Sequence, residues 1–287
     1  MKLERLKLAR LQLIVAAILF STGGAAIKAT DLSSWQVASF RSGIAALTLL
    51  LLPAARRGYS LPAFGVGLSY AATMILYVLA NKLTTAANAT FLQATAPLYL
   101  LLLAPLLLHE ANRRRDIGFM ALIAIGLSLF FIGGEASSSS APDPEFGNLL
   151  GAACGLFWGL TMLGLRGLSR KQGAPNLAPV VIGNLVAFAV CLPMALPVEG
   201  ATTADITWLI YLGAVQIGLA YILITAGIRH VPVLEASLLL MIEPTFNPVW
   251  AWMLHAELPS NWALLGGLLV LGATLAKSWT DAPARAP

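Results

Sequence analysis

Lys82 to Glu110 reads KLTTAANATFLQATAPLYLLLLAPLLLHE, and 147 positions further on Arg229 to Glu257 reads RHVPVLEASLLLMIEPTFNPVWAWMLHAE. Laid one on the other, the stretches pair Ala89 with Ala236, Leu92 with Leu239, Pro97 with Pro244, Ala104 with Ala251, Leu107 with Leu254 and Glu110 with Glu257. Matches of Ala and Leu arise easily in apolar sequence. A Pro and a Glu held thirteen residues apart in both stretches do not, and Thr90/Ser237 and Lys82/Arg229 agree in character. A looser match sets Phe20 to Lys28 against Trp158 to Arg166. The chain reads as a duplication.

Working outward, 58% of the 287 residues are hydrophobic and 11% charged, where a soluble domain carries about 25% charged residues. A membrane-spanning helix uses about 20 mostly apolar residues. Gly, Pro and polar punctuation leaves apolar segments near 11–29, 35–53, 62–80, 86–108, 116–134, 146–166, 176–197, 206–226, 232–254 and 260–279. The expected fold is thus an all-α membrane protein of ten transmembrane helices, with no room for a soluble catalytic domain. The basic start and the small residues Gly23 to Ala26 imitate a secretory signal, but nine further spans favour a retained signal anchor. Cys154 and Cys191 lie in apolar runs without CxxC or Cys/His spacing. Neither a disulfide framework nor a metal site is indicated, and no cofactor is expected.

The net charge of +5 reports topology rather than a nucleic-acid partner. With a cytoplasmic N-terminus, 15 of the 18 Lys and Arg fall inside, Lys28 and Lys82 outside, and Arg41 within the second span. That split is what the positive-inside rule expects, with both termini cytoplasmic and the chain multi-pass in a bacterial plasma (inner) membrane. The expected organisation is a first repeat over 1–134 (helices 1–5), a periplasmic linker over 135–145, a second repeat over 146–280 (helices 6–10) and a cytoplasmic tail over 281–287. The linker holds Ser137 to Ser140, Pro142 and Pro144, the composition of a flexible connector. Because five is odd, the second copy enters the membrane inverted. Two inverted five-helix repeats around a midplane site are the arrangement that suits alternating access in secondary transporters.

The run from Lys82 through Pro97 to Leu108-His-Glu110, with its echo from Val233 through Pro244 to Glu257, resembles the EamA repeats of the drug/metabolite transporter superfamily. The likeness covers nearly the whole chain. Its length and ten-span layout are similar to the YddG-type exporters of aromatic and other neutral amino acids. The resemblance implies a secondary transporter exporting small metabolites, most simply such amino acids, from a central cavity walled by both repeats. Exporters of lipophilic cations or drugs, and of nucleotide sugars, are the alternatives within the superfamily.

A polar side chain facing lipid is costly, so polar residues within spans turn inward. Tyr77, Asn81, Gln93, Tyr99, Trp158, Thr161, Glu243 and Asn247 combine midspan depth with polar or aromatic character and form the expected substrate-binding set. An aromatic and methionine wall suits an apolar side chain, with amides for a zwitterionic end. Pro97 and Pro244 each remove a backbone donor in midspan, giving either a packing bend or a hinge. Gly147, Gly151, Gly155 and Gly159 clear one helix face for close packing, within the chain or across a weak dimer.

Arg41 and Glu243 are charges well inside spans and need partners, either each other or, for Glu243, Lys28 or Arg166. A structural ion pair and substrate binding, of a carboxylate by Arg41 and an ammonium by Glu243, are both open on sequence. One midspan acid already neutralised by a cation is thin provision for a proton relay, so facilitated export without obligatory proton coupling is expected. An intramembrane enzyme is the competing class. His109, His230 and His255 lie near span ends, and no HExxH, GxSxG or catalytic Cys/His spacing occurs. The expected partners are therefore a small-molecule substrate and the lipid bilayer, around a monomer or weak dimer.

Overall fold

The computed structural model describes residues 2–107, 114–132, 137–172, 176–227, 230–231, 236 and 239–280, which contain helices and no strand. The helices are α1 (Lys2–Ser21), α2 (Gly23–Lys28), α3 (Ser34–Leu50), α4 (Leu61–Leu83), α5 (Ala86–Gln93), α6 (Ala96–Leu107), α7 (Arg114–Ile132), α8 (Pro144–Gln172), α9 (Ala178–Ala195), α10 (Thr203–Ile210), α11 (Ala220–Gly227), α12 (Ile242–His255) and α13 (Asn261–Thr280). A nine-residue π-helical stretch, Tyr211–Leu219, joins α10 to α11.

Short polar side chains set the starts. Ser33 and Gln36 form a capping box on α3, and Thr202 and Asp205 form another on α10. Thr85 accepts from the Asn88 amide at 3.2 Å to open α5. Each such cap satisfies a helix-end donor that lipid cannot. Among the described residues, eight helical stretches are long and apolar enough to cross a membrane. The expected segment at 35–53 coincides with α3, whose 17 residues fall below that length, and the segment at 232–254 is described only in part, with α12 covering its second half.

The core is built on α4, which packs against α8 and α9, while α3 lies between α9 and the π-helical stretch. On the flanks α7 pairs with α13, and α1 with α11 and α12. The glycine stripe of α8 is filled from within the chain. A Cβ on Gly155 would stand 2.6 Å from the Leu92 carbonyl oxygen, and one on Gly147 would stand 2.6 Å from the Thr84 amide. Both prolines sit in the first turn of a helix just after a break, Pro97 after Ala94–Thr95 and Pro244 after Met241. Hydroxyls cover carbonyls at these breaks, with Thr95 Oγ1 donating to Leu92 O at 2.5 Å and Thr245 Oγ1 to Met241 O at 2.7 Å.

The connector expected to be flexible is tied down where it is described. Ser138 and Ala141 exchange backbone hydrogen bonds of 3.0 and 3.2 Å, and the Asp143 amide donates to Leu83 O at 3.1 Å. Lys28 Nζ donates to Ser140 O as well. This linker end of the bundle also holds the buried Lys28–Glu257 ion pair, 3.1 Å long. The opposite end carries the Lys277–Asp116 pair at 2.9 Å.

Candidate functional site

Midway along the helices a cavity of about 50 Å³ is lined by Phe20, Arg41, Tyr70, Met74, Tyr77, Gln93, Trp158, Gln216, Ile217, Tyr221 and Glu243. The α4 contributors recur every three or four residues and so share one helix face. One wall is aromatic: Tyr221 meets Phe20 edge-on at 5.4 Å between ring centres and Tyr70 at 5.9 Å. As it stands the space admits a few water molecules.

Arg41 is 1% exposed. One of its terminal nitrogens donates to Met74 O at 3.4 Å and to Met74 Sδ at 3.6 Å, and its guanidinium carbon lies 5.9 Å from the centre of the Tyr77 ring. Its Nε has no hydrogen-bond partner among the described residues. The expected alternatives for pairing the midspan charges resolve unevenly. Lys28 is committed to Glu257, and among the described residues Glu243 forms an ion pair neither with Arg41 nor with Lys28. Both midspan charges line the same cavity instead.

Of the other expected site residues, Tyr77, Gln93 and Trp158 line the cavity with Glu243. Asn81 and Asn247 lie on its linker side and are wholly buried. There Asn247 Nδ2 donates to Tyr77 Oη at 3.3 Å, Tyr77 Oη and Thr90 Oγ1 share a hydrogen bond of 3.1 Å, and Asn81 Nδ2 donates to Tyr77 O at 2.8 Å. This layer joins α4, α5 and α12 across the cavity's linker side. A Cβ on Gly24 would stand 2.7 Å from Asn247 Oδ1 and 2.8 Å from Asn81 Oδ1, so only glycine lets α2 complete the seal. Tyr99 and Thr161 are not among the lining residues. The Tyr99 hydroxyl donates to Ala152 O at 3.3 Å, joining α6 to α8, and Thr161 Oγ1 donates to Phe157 O of its own helix at 2.8 Å. Glu110 and Glu235 lie outside the described residues.

Beyond the asparagine layer comes a second closure. Glu257 Oε2 accepts from the Ala86 amide at 3.1 Å, capping α5, while its other oxygen faces Lys28. Lys28 also donates to Thr84 O at 2.9 Å, and Lys82 Nζ to Thr30 O at 2.6 Å. The carboxylate is held by a cation and a helix N-terminus together, both of which stabilise its charge.

The sequence reading did not select Phe20, Gln216, Ile217 or Tyr221. Gln216 carried a usable signal, since it is the one amide in the apolar segment 206–226. The same inward-turning argument that selected Gln93 applies to it. Its place on a π-helical stretch, a backbone form that recurs at functional sites, was not legible.

The model of the EamA-like transporter family matches the chain twice, over residues 7–132 and 145–278. The pseudopaline exporter of Pseudomonas aeruginosa strain UCBPP-PA14 is 24% identical over 288 residues, covering 98% of this chain and 99% of that protein. An uncharacterized transporter of Archaeoglobus fulgidus is 26% identical over 204 residues, 71% of each chain. A solved crystal structure with 18% identity superposes at a TM-score of 0.64 over 96% of this chain and 99% of its own, a likeness of fold. The cavity draws Phe20, Arg41, Tyr70, Met74, Tyr77 and Gln93 from the first matched segment and Trp158, Gln216, Ile217, Tyr221 and Glu243 from the second. With two matches that together span nearly all of its length, this multi-pass chain belongs to the EamA-like transporter family.

Proposed function

We propose that the protein exports small metabolites by alternating access, as a ten-span transporter of two inverted five-helix repeats over 1–134 and 146–280. The carrying observation is a midspan cavity walled by both family-matched segments and holding two opposite charges that are not paired with each other. Ligand sites of secondary transporters lie at such repeat interfaces. The 17-residue α3 and the partly described segment containing α12 count as spans in this reading because each lies in sequence between stretches long enough to cross. The double closure at the linker end, with the cavity beneath it, suits one of the two states that alternating access requires. Lys and Arg placement supports cytoplasmic termini in a bacterial inner membrane. A glycine stripe occupied within the chain supports a monomer.

Aromatic and other large neutral amino acids, as in the YddG-type exporters, are the proposed substrates. Tyr77, Gln93, Trp158 and Glu243 line their site, Asn81 and Asn247 close it, and Pro97 and Pro244 act as hinges at the helix breaks. A relative named for pseudopaline export favours a second reading, a bulkier metabolite bearing the same charged groups. Facilitated export rests on Glu243 being the one carboxylate lining the cavity among the described residues. The salt bridge expected to hold that acid is not what supports it.

Counterflow in proteoliposomes tests the reading. Phenylalanine and tryptophan are expected to outcompete aspartate, a nucleotide sugar and a lipophilic cation, with Trp158→Ala narrowing the preference several-fold. An imposed pH gradient is expected to drive no accumulation. Equal competition by aspartate overturns the substrate assignment, and accumulation driven by the pH gradient overturns facilitated export.

A further inference from the structure

We infer that one side of the cavity receives a protonated primary amine, whose three N–H bonds are accepted by Gln216 Oε1, Gln93 Oε1 and the Glu243 carboxylate. The inference rests on the reading of this cavity as the transport site and names the chemical group the site selects. Both amide oxygens are buried and accept no hydrogen bond among the described residues. Buried acceptors left unpaired are expensive in a water-poor interior, and satisfying them is a reason for a ligand to bind. Gln216, 5% exposed, is oriented by its own amide nitrogen, which reaches Phe20 O at 3.5 Å. Gly23 makes this possible, because a Cβ there would stand 2.8 Å from Gln216 Nε2. The third acceptor, Glu243, forms no ion pair among the described residues.

Three acceptor-bearing side chains on the lining of one small cavity match the donor count of an alkylammonium, which has three N–H donors and no acceptor. A quaternary ammonium carries the same charge without a donor. It would leave both amide oxygens unpaired, and its methyl groups would hold the charge farther from Glu243. The cavity therefore discriminates by hydrogen-bond donors and not by charge alone.

The test is binding to the purified full-length protein in nanodiscs, measured calorimetrically with phenethylamine and with its N,N,N-trimethyl analogue. Phenethylamine is expected to bind at least about ten-fold more tightly, the scale set by hydrogen bonds to a charged group. Gln216→Met and Gln93→Met, which keep side-chain length, are expected to shrink that ratio to about three-fold or less. Gly23→Ala, which displaces Gln216 without removing it, should shrink it too. Equal binding of the two amines, no binding of either, or a ratio unmoved in folded Gln216→Met and Gln93→Met protein overturns the inference. Amine selectivity without counterflow leaves the inference standing and removes the transport reading. Amino-acid counterflow with equal binding of the two amines removes the inference alone.

Discussion

Lys28 and Glu257 lie 229 positions apart, and their side chains are 5% and 3% exposed. Removing one partner of a buried pair strands the other charge, which costs about 3–5 kcal/mol, whereas an apolar pair of similar volume restores much of the loss. Glu257→Leu is therefore expected to lower the apparent Tm in detergent micelles more than the double variant Lys28→Met/Glu257→Leu does. Additive effects of the two single changes would mean that the ion pair holds nothing. Arg41 and Glu243 are the contrasting case. They are the charges sequence alone marks as costly, and the structure places both on the lining of one cavity.

At the scale of elements, α8 is the clearest link from sequence to packing. Gly155 meets the Leu92 carbonyl oxygen and Thr95 Oγ1, neither free to retreat, because Thr95 Oγ1 is itself bonded to Leu92 O. Gly155→Ala is expected to destabilise by about 1–3 kcal/mol through overpacking. Gly118 on α7, with nothing within 4 Å of its would-be Cβ, provides the control. There Ala is expected to stabilise by about 0.5–1 kcal/mol through helix propensity. Matched shifts of apparent Tm in the two variants would remove the packing account. The π-helical stretch works the other way. Gly213 and Gly218 bring its backbone against α3, where Cβ atoms would meet Arg41 O at 2.7 Å and Thr48 Cγ2 at 2.6 Å. The result turns Gln216 toward the cavity in a register that a 3.6-residue period does not forecast.

For the whole molecule, reporter fusions test the proposed orientation. Fusions at both termini are expected to report cytoplasm, and an insertion beside Ser140 the periplasm. A periplasmic C-terminus would overturn the topology. The same end bears on stability. With Ser138 paired to Ala141 and Lys28 bound to Ser140 O, deleting Ser138 and Ser139 is expected to weaken the linker-end closure. A purely flexible connector would tolerate that loss.

Composition and punctuation by themselves determined that this chain is helical and lives in a membrane, since apolar runs of helical length cannot be satisfied any other way in lipid. The internal sequence repeat was readable because Pro97 and Pro244, and Glu110 and Glu257, keep one spacing, and the family model matches the chain over 7–132 and 145–278. Tyr77, Gln93, Trp158 and Glu243 of the expected set line the cavity, in keeping with the rule that a midspan polar group turns inward. Only tertiary structure decided which inward-turning groups meet. Tyr99 and Thr161 satisfy the same sequence rule as Gln93 and Trp158, but the first two bond to the backbone carbonyls of Ala152 and Phe157 while the second two line the cavity. The partners of the charges were likewise settled by which helices pack together, because Coulomb attraction and hydrogen bonding act over a few ångströms of space, whatever the separation along the chain.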